Sequence, residues 1–414
     1  MVSERLRMRD LALAFRNLFR HRVRSAIALS AIVFGVAALL QSGGFIDWIF
    51  VNLREATIQS RLGHIQVTRP GYFTDGTADP FSYLLPERSP DLDGIASSRG
   101  VRIVTPRLAF GGLLSFGDTT VSFVGEGVDP EREKAVSGML AITSGENLSS
   151  SDPRGIILGE GLAASLGAAP GQTVVLLAAT GAGGMNAVET HVRGLFSTYT
   201  KAFDDAALRL PIATARELLR VPGSHTWVVL LDRTERTDPL LASLRGRFPE
   251  KTAQLSFRPW SEMADFYKKT VRLFSRQIGV VNLIIALIIV LSISNTLTKS
   301  VLERTGEIGT LMATGSKSRR ILKLFLLEGF FLGLVGGLLG LAIGLAIARL
   351  ISTIGIPMPP PPGSNRGYTA EILVTPSLAL RAFAIALGTA LLASLQPAWR
   401  ASRLRIVDAL RHNR

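Results

Sequence analysis

The chain has 414 residues, 47% of them hydrophobic, a formal charge of +14 and no cysteine. Without cysteine it has no disulfide framework and no thiolate metal site. The positive charge argues against nucleic-acid binding because it is concentrated in three places: residues 1–24, Lys299–Lys323 and the tail from Arg400 carry 18 basic side chains against five acids, whereas residues 48–270 carry 23 basic and 24 acidic ones. Basic residues clustered beside apolar runs are a topology signal.

In residues 1–24, Met8, Leu11, Phe15 and Leu18 recur at spacings of three and four while Arg9, Arg16 and Arg20 lie off that stripe. This fits a cytoplasmic amphipathic helix at the headgroups, and equally a first span extended by topology-setting arginines. A hydrocarbon core of about 30 Å needs about 20 apolar residues. Residues 25–47 supply the first span, uncharged from Ser25 to Ile46. It exceeds the apolar run of a cleaved leader and reads as an uncleaved signal anchor.

Residues 48–273 are expected to be a periplasmic α+β domain, porter-like, with a strand-rich lobe near 140–205. Strands are predicted at His64–Arg69, Arg102–Leu108, Val121–Val128, Thr173–Ala178, His191–Leu195 and Trp227–Leu231, each β-branched-rich and bounded by turn residues. Helical spacing marks Pro211–Arg220, Asp238–Phe248 and Trp260–Phe274, the last running into the second span, residues 274–298.

Residues 299–320 form a cytoplasmic loop that mixes Ile308, Leu311 and Met312 with charges, predicting a short helix that ends near Gly315. The third span, 321–351, carries two small-residue stripes, Gly329, Gly333, Gly337 and Gly336, Gly340, Gly344, which let a neighbouring helix approach closely. Glu328 at its edge is expected to snorkel toward Lys323 or Arg320. A periplasmic loop, 352–375, holds the stiff Pro359–Pro362 segment. The fourth span, 376–399, precedes a cytoplasmic tail, 400–414. The fold class expected is an α-helical membrane protein, with four transmembrane helices and the α+β domain inserted between the first two. Both termini face the cytoplasm of the inner membrane.

Familiar chemistry is missing. Gly315-Ser316-Lys317-Ser318 superficially resembles a phosphate loop, but a residue separates Gly315 from Lys317 and the flanks are membrane spans. Leu40–Gly44 resembles the signature of ATP-binding-cassette ATPases, yet it lies inside a span. His21, His64, His191, His225 and His412 have no metal-ligand spacing, so no metal site is expected. No nucleophile–base grouping stands out. A charged yet apolar cytoplasmic loop in such a chain points to a partner that supplies energy.

Three motifs, Leu13-Ala14-Phe15-Arg16-Asn17-Leu18, Glu303-Arg304-Thr305-Gly306-Glu307-Ile308-Gly309 and Pro397-Ala398-Trp399-Arg400-Ala401-Ser402 through Ala409-Leu410, together span the chain. In this order they resemble the MacB/FtsX-like permeases of ABC transporters; in layout the chain is most similar to the lipoprotein-releasing permeases LolC and LolE. The resemblance implies a permease subunit, not itself an enzyme. It would pair with a second permease and dock on a cytoplasmic ABC ATPase dimer that binds the ATP and magnesium, this chain binding no cofactor. It implies a mechanical relay, with cargo handled outside the bilayer: lipoproteins or other lipidic cargo passed to a periplasmic carrier, or tripartite efflux of small hydrophobic molecules or peptides. A scaffold that activates cell-wall hydrolases is the alternative of another class. Glu303, Arg304, Glu307, Ile308, Leu311 and Met312 would couple to the ATPase. The Ala179–Glu189 loop, with Gly181, Gly183, Gly184, Met185 and Asn186, stands where a carrier-binding hook would be, and reads equally as a plain flexible hairpin.

Overall fold

The first apolar run forms α1 (Arg22–Thr57), which passes the expected span end at residue 47 by ten residues. Leu53, Arg54, Glu55 and Ala56 are good helix formers with no glycine or proline to stop them. The helix then widens into a π turn, Ile58–Leu62, and stops at Gly63, whose φ of +64° is left-handed. This computed structural model describes residues 22–359, apart from 77 and 199, and residues 367–404. The expected N-terminal amphipathic helix, the first motif, Pro360–Pro362 and Ala409-Leu410 lie outside the described residues.

The chain continues through β1 (Ile65–Thr68), α2 (Pro90–Ala96), β2 (Val101–Phe116), β3 (Thr119–Val128), α3 (Pro130–Val136), β4 (Ala141–Gly145), β5 (Gly155–Gly159) and α4 (Glu160–Leu166). Next come β6 (Thr173–Ala179), β7 (Met185–Ser197), β8 (Ala207–Pro211), α5 (Ile212–Leu219), β9 (Thr226–Leu231), α6 (Thr237–Arg247) and β10 (Ser256–Pro259). A single helical turn, Trp260–Met263, leads into α7 (Asp265–Glu303), followed by α8 (Thr305–Ala313), α9 (Ser318–Ile354) and α10 (Pro376–Ser402).

Two units result: residues 1–50, 271–357 and 369–414, and residues 51–270 with 358–368. In the second, the strands run β10-β1-β9-β2-β3-β8-β5-β7-β4, with β6 bonded to β2 and β7. Neighbours are antiparallel except β3 with β8 and β5 with β7. One apolar core lies under β1 and β9 with α2 and α6, around Ile65, Ile95, Trp227 and Leu244. A second lies among β5 to β8 with α4 and α5, around Leu158, Leu166, Leu208 and Leu218, and smaller clusters form around Ile58 with Trp260 and around Val128 with Phe196. The six predicted strands fall on β1, β2, β3, β6, β7 and β9; β4, β5, β8 and β10 were not expected.

In the first unit α1, α7, α9 and α10 are each long and apolar enough to cross a membrane. Their common core includes Ile32, Val36 and Leu40 of α1, Ile289 and Ile293 of α7, and Ala386 and Ala390 of α10.

Candidate functional site

At the turn from α7 to α9, the Arg304 guanidinium donates to Glu328 Oε1 at 2.8 Å and to Glu307 Oε2 at 3.3 Å. Glu328 is buried, so its carboxylate needs this partner, one the charge pattern had not indicated. Thr305 turns its hydroxyl back onto the carbonyls of Val301 and Leu302. The end of α8 is a Schellman closure: the Ser316 amide donates to Leu311 O and the Gly315 amide to Met312 O, both at 3.0 Å, with Gly315 at φ +90°.

The expected groove anchors divide. Ile308 is 3% exposed and packs against Val301, Ile321, Phe325, Ala398 and Ala401, with Met312 at the margin of the same cluster. Its side chain therefore serves this chain's own core and is not offered to a partner, a correction to the expected coupling face. Leu311 and Leu302 point outward, as do Glu303 and Glu307. The cluster also joins two of the sequence motifs. Ile308 comes from the Glu303–Gly309 motif, while Ala398 and Ala401 of the Pro397–Ser402 motif are small enough to let α10 approach.

The glycines of α9 contact two different helices. A methyl group on Gly336, Gly340 or Gly344 would meet Ile32, Val36 or Leu40 of α1, at 2.9, 2.7 and 2.7 Å. On Gly329, Gly333 or Gly337 it would meet Ser394, Ala390 or Phe383 of α10, at 2.5, 2.8 and 2.9 Å. The α1–α9 seam is also hydrogen-bonded, Gln41 Nε2 donating to Gly344 O at 2.8 Å. Gly35 does the same for α7, against Ile289 at 2.6 Å.

In the inserted domain, the Gly-rich loop is shorter and better bonded than a flexible hairpin. β6 runs to Ala179 and β7 begins at Met185, and between them Thr180 N–H donates to Gly184 O at 2.7 Å and Gly183 N–H to Thr180 O at 3.0 Å. Gly181 N–H donates to Leu219 O, and Asn186 Nδ2 to Leu218 O at 2.9 Å. Asn186 thus ties the hairpin to α5, leaving Met185, 66% exposed, as a large apolar side chain presented outward.

Sequence reasoning missed the base of this domain. Four buried charges, Arg107 of β2, Glu126 of β3, Glu133 of α3 and Arg209 of β8, surround the π turn that ends α1. Arg209 donates to Glu126 at 2.9 Å and to the Ser60 carbonyl at 3.1 Å; Arg107 donates to Glu133 and to the Arg61 carbonyl. Ser137 links the halves, accepting from Arg209 at 2.8 Å and donating to Glu133. Burial alone would push the Glu126 pKa up, but Arg209, then Arg107 and Arg61, bring it down to about 2. The available signal was Arg209 within Leu208-Arg209-Leu210, a charge amid an apolar run.

Beside it a chain of hydrogen bonds through a neutral histidine fastens the same helix. Leu231 N–H donates to His64 Nδ1 at 3.0 Å, His64 Nε2 meets the Thr234 hydroxyl at 3.0 Å, and that hydroxyl donates to Glu55 at 2.9 Å. Burial lowers the His64 pKa to about 4, keeping the ring neutral. Among the described residues no three His, Cys, Asp or Glu side chains could hold a metal ion.

Residues 25–247 match the MacB-like periplasmic core domain, and residues 279–406 the FtsX-like permease C-terminal family. The macrolide export ATP-binding/permease protein MacB of Hyphomonas neptunium is 30% identical over 219 residues, 52% of this chain and 31% of that protein. The ABC transporter permease YtrF of Bacillus subtilis is 32% identical over 136 residues, 32% of this chain and 31% of its own. The chain thus spans about a third of the length of these relatives. Among solved structures, the periplasmic region of MacB from Actinobacillus actinomycetemcomitans covers 53% of this chain and 96% of its own at 17% identity, with a TM-score of 0.36. With the periplasmic core match alone taking in more than half of its residues, the chain belongs to the MacB/FtsX-like family of ABC transporter permeases.

Proposed function

We propose that this permease is the membrane subunit of an ATP-driven inner-membrane complex in which both termini face the cytoplasm and the inserted domain faces the periplasm. It works as a mechanical relay, moving lipoproteins or other lipidic cargo from the inner membrane toward a periplasmic carrier. One observation carries the relay. The inserted domain is entered from α1 through β1 and left toward α7 through β10, and these two strands are paired, from Ile65 opposite Pro259 to Thr68 opposite Ser256. Tilting of the two helices would therefore act on a single ribbon of sheet. A second permease copy or homologue would complete the membrane part, and a separate ABC ATPase dimer would carry ATP and magnesium. Leu311 and Leu302, exposed beside Glu303 and Glu307, give that ATPase an apolar contact with a charged rim.

Lipidic cargo is supported by Leu113, Val124 and Val175, apolar side chains exposed on β2, β3 and β6. Efflux of small hydrophobic molecules is the second reading, favoured by relatives named as macrolide and pyoverdine export proteins. The test is purification of the permease with its co-purifying ATPase, reconstitution in proteoliposomes, and ATP turnover measured with an acylated lipoprotein, a macrolide, or neither. Stimulation and release of lipoprotein are expected. Stimulation by the macrolide alone moves the reading to efflux. Turnover indifferent to both, together with activation of a cell-wall hydrolase, makes the chain a signalling scaffold.

A further inference from the structure

The end of α1 is held by charge as well as by packing, Ile58 being fully buried with Val136, Val228, Leu230 and Trp260. A helix C-terminus leaves carbonyls without intrahelical donors and carries partial negative charge. Here those carbonyls are taken up in order: Ile58 by the Gly63 amide at 2.9 Å, Ser60 by Arg209, Arg61 by Arg107, and Leu62 by Gln66 Nε2 at 3.1 Å. Each guanidinium donates both to a carboxylate and to a backbone carbonyl, Arg107 to Glu133 and Arg61, Arg209 to Glu126 and Ser60. The carboxylates neutralise the pair, so no buried charge is left over. The four side chains come from three strands and one helix, and Glu126 stands directly opposite Arg209 in the β3–β8 register.

We propose that Arg107, Glu126, Glu133 and Arg209 form the joint that makes the π-helical end of α1 and the inserted domain move as one body. They act as positioning residues that carry displacement from helix to domain. The inference deepens the relay reading and rests on it. A charged network with defined donor geometry loses several bonds at once when the helix end turns or shifts, so it stays fixed until the load is large. The π turn places the carbonyls of Ser60 and Arg61 toward the two guanidiniums, which explains its presence at this point in the chain.

The test uses the full-length permease in lipid nanodiscs. Because the native chain has no cysteine, Leu53→Cys with Asp118→Cys allows two spin labels to report on helix end and domain. The parent should give a narrow distance distribution. The neutral double variant Arg209→Met with Glu126→Leu removes the cap on Ser60 without stranding a charge, and such replacements commonly preserve folding. It should keep the parent's melting temperature and circular dichroism. Its distance distribution should broaden at least twofold, and amide exchange across residues 58–63 should rise at least tenfold. Arg209→Lys, which keeps the charge but loses the fork, should broaden the distribution by a smaller factor and serves if the double variant misfolds. A distribution as narrow as the parent's in either folded variant overturns the proposal. The measurement needs no ATPase, so a rigid joint in a chain that couples to no ATPase would leave the joint standing and defeat only the relay.

Discussion

Alanine at Gly340 should destabilise the helix bundle, although alanine is the better helix former. The intrinsic gain of Gly→Ala inside a helix is about 0.8–1 kcal/mol. Against it, the new methyl lies 2.7 Å from Val36 Cβ and 3.1 Å from the Val33 carbonyl oxygen, where carbon atoms prefer about 3.5–4.0 Å. Neither neighbour is the loose end of a long side chain, so α1 and α9 must separate by roughly an ångström. Overpacking of this kind costs about 1–3 kcal/mol. Gly329, 2.5 Å from Ser394 Cβ, predicts the same on the α10 side. Gly279 and Gly388 have nothing within 4 Å and provide the internal controls, where the propensity gain stands alone. The two classes should therefore separate by about 1–3 kcal/mol, a change of roughly five- to 160-fold in the folded ratio. Reversible unfolding of the full chain in mixed micelles, followed by circular dichroism, measures this. If Gly340→Ala and Gly329→Ala proved as stable as Gly388→Ala, the close approach of these helices would be wrong.

Ile308→Ala should lose about 2–5 kcal/mol of bundle stability, because a buried side chain is truncated. Leu311→Asp should leave melting unchanged and abolish co-purification of the ATPase; retained co-purification would remove Leu311 from the interface. Glu328→Leu should lower the melting temperature by leaving Arg304 without its buried carboxylate, and Glu328→Leu with Arg304→Leu should recover most of the loss, as a double-mutant cycle would record. Cysteine at Ser151 should react with an impermeant thiol reagent in intact spheroplasts while cysteine at Ser316 should not. Labelling at Ser316 would refute the assigned orientation.

The membrane part was legible in the sequence because lipid imposes a length and an absence of charge that no soluble core requires. The glycine stripes were legible for a related reason, since a spacing of four fixes a helix face. Which helix each face meets was not, because spacing says nothing of the neighbour: one stripe turns to Ile32 and Val36, the other to Ala390 and Phe383. Ile308 misled because an apolar residue in a charged loop fits an external groove and an internal cluster equally well. What decided it was the small size of Ala398 and Ala401, some ninety residues away. The short strands β5 and β8 carry too few residues for alternation to show, and Arg209 interrupts the one apolar run that could have revealed β8. The buried charges were hidden because each is an ordinary surface residue until its partner is placed.

The histidines of the inserted domain make its stability fall with acid, and the sign follows from their hydrogen bonds. His64 is 2% exposed and His225 fully buried. Each uses Nδ1 as an acceptor, from the amides of Leu231 and Ala109 at 3.0 and 3.1 Å, so a proton there would set two donors face to face. Burial lowers both pKa values to about 4 from the ordinary 6.5. The folded values lie below the unfolded ones, so the histidine contribution is intact above pH 6.5. It is lost progressively as pH falls toward 4, because the unfolded chain takes up protons the folded chain refuses. At about 1.4 kcal/mol per pKa unit the loss approaches about 3 kcal/mol for each ring. Asp204, whose buried carboxyl has a raised pKa, works in the opposite direction, while Glu126 keeps its stabilisation above about pH 4.5 and loses it as pH falls toward 2. Melting of the domain should therefore fall between pH 6.5 and 4, and His64→Gln with His225→Gln should flatten that slope. Hydrogen exchange adds a local check: protection at Leu231 and Ala109 should drop as pH passes through about 4, ahead of Val229 on the same strand as Leu231. Uniform protection along β9 at pH 4, with no acid slope, would show that these rings are not held neutral by the fold.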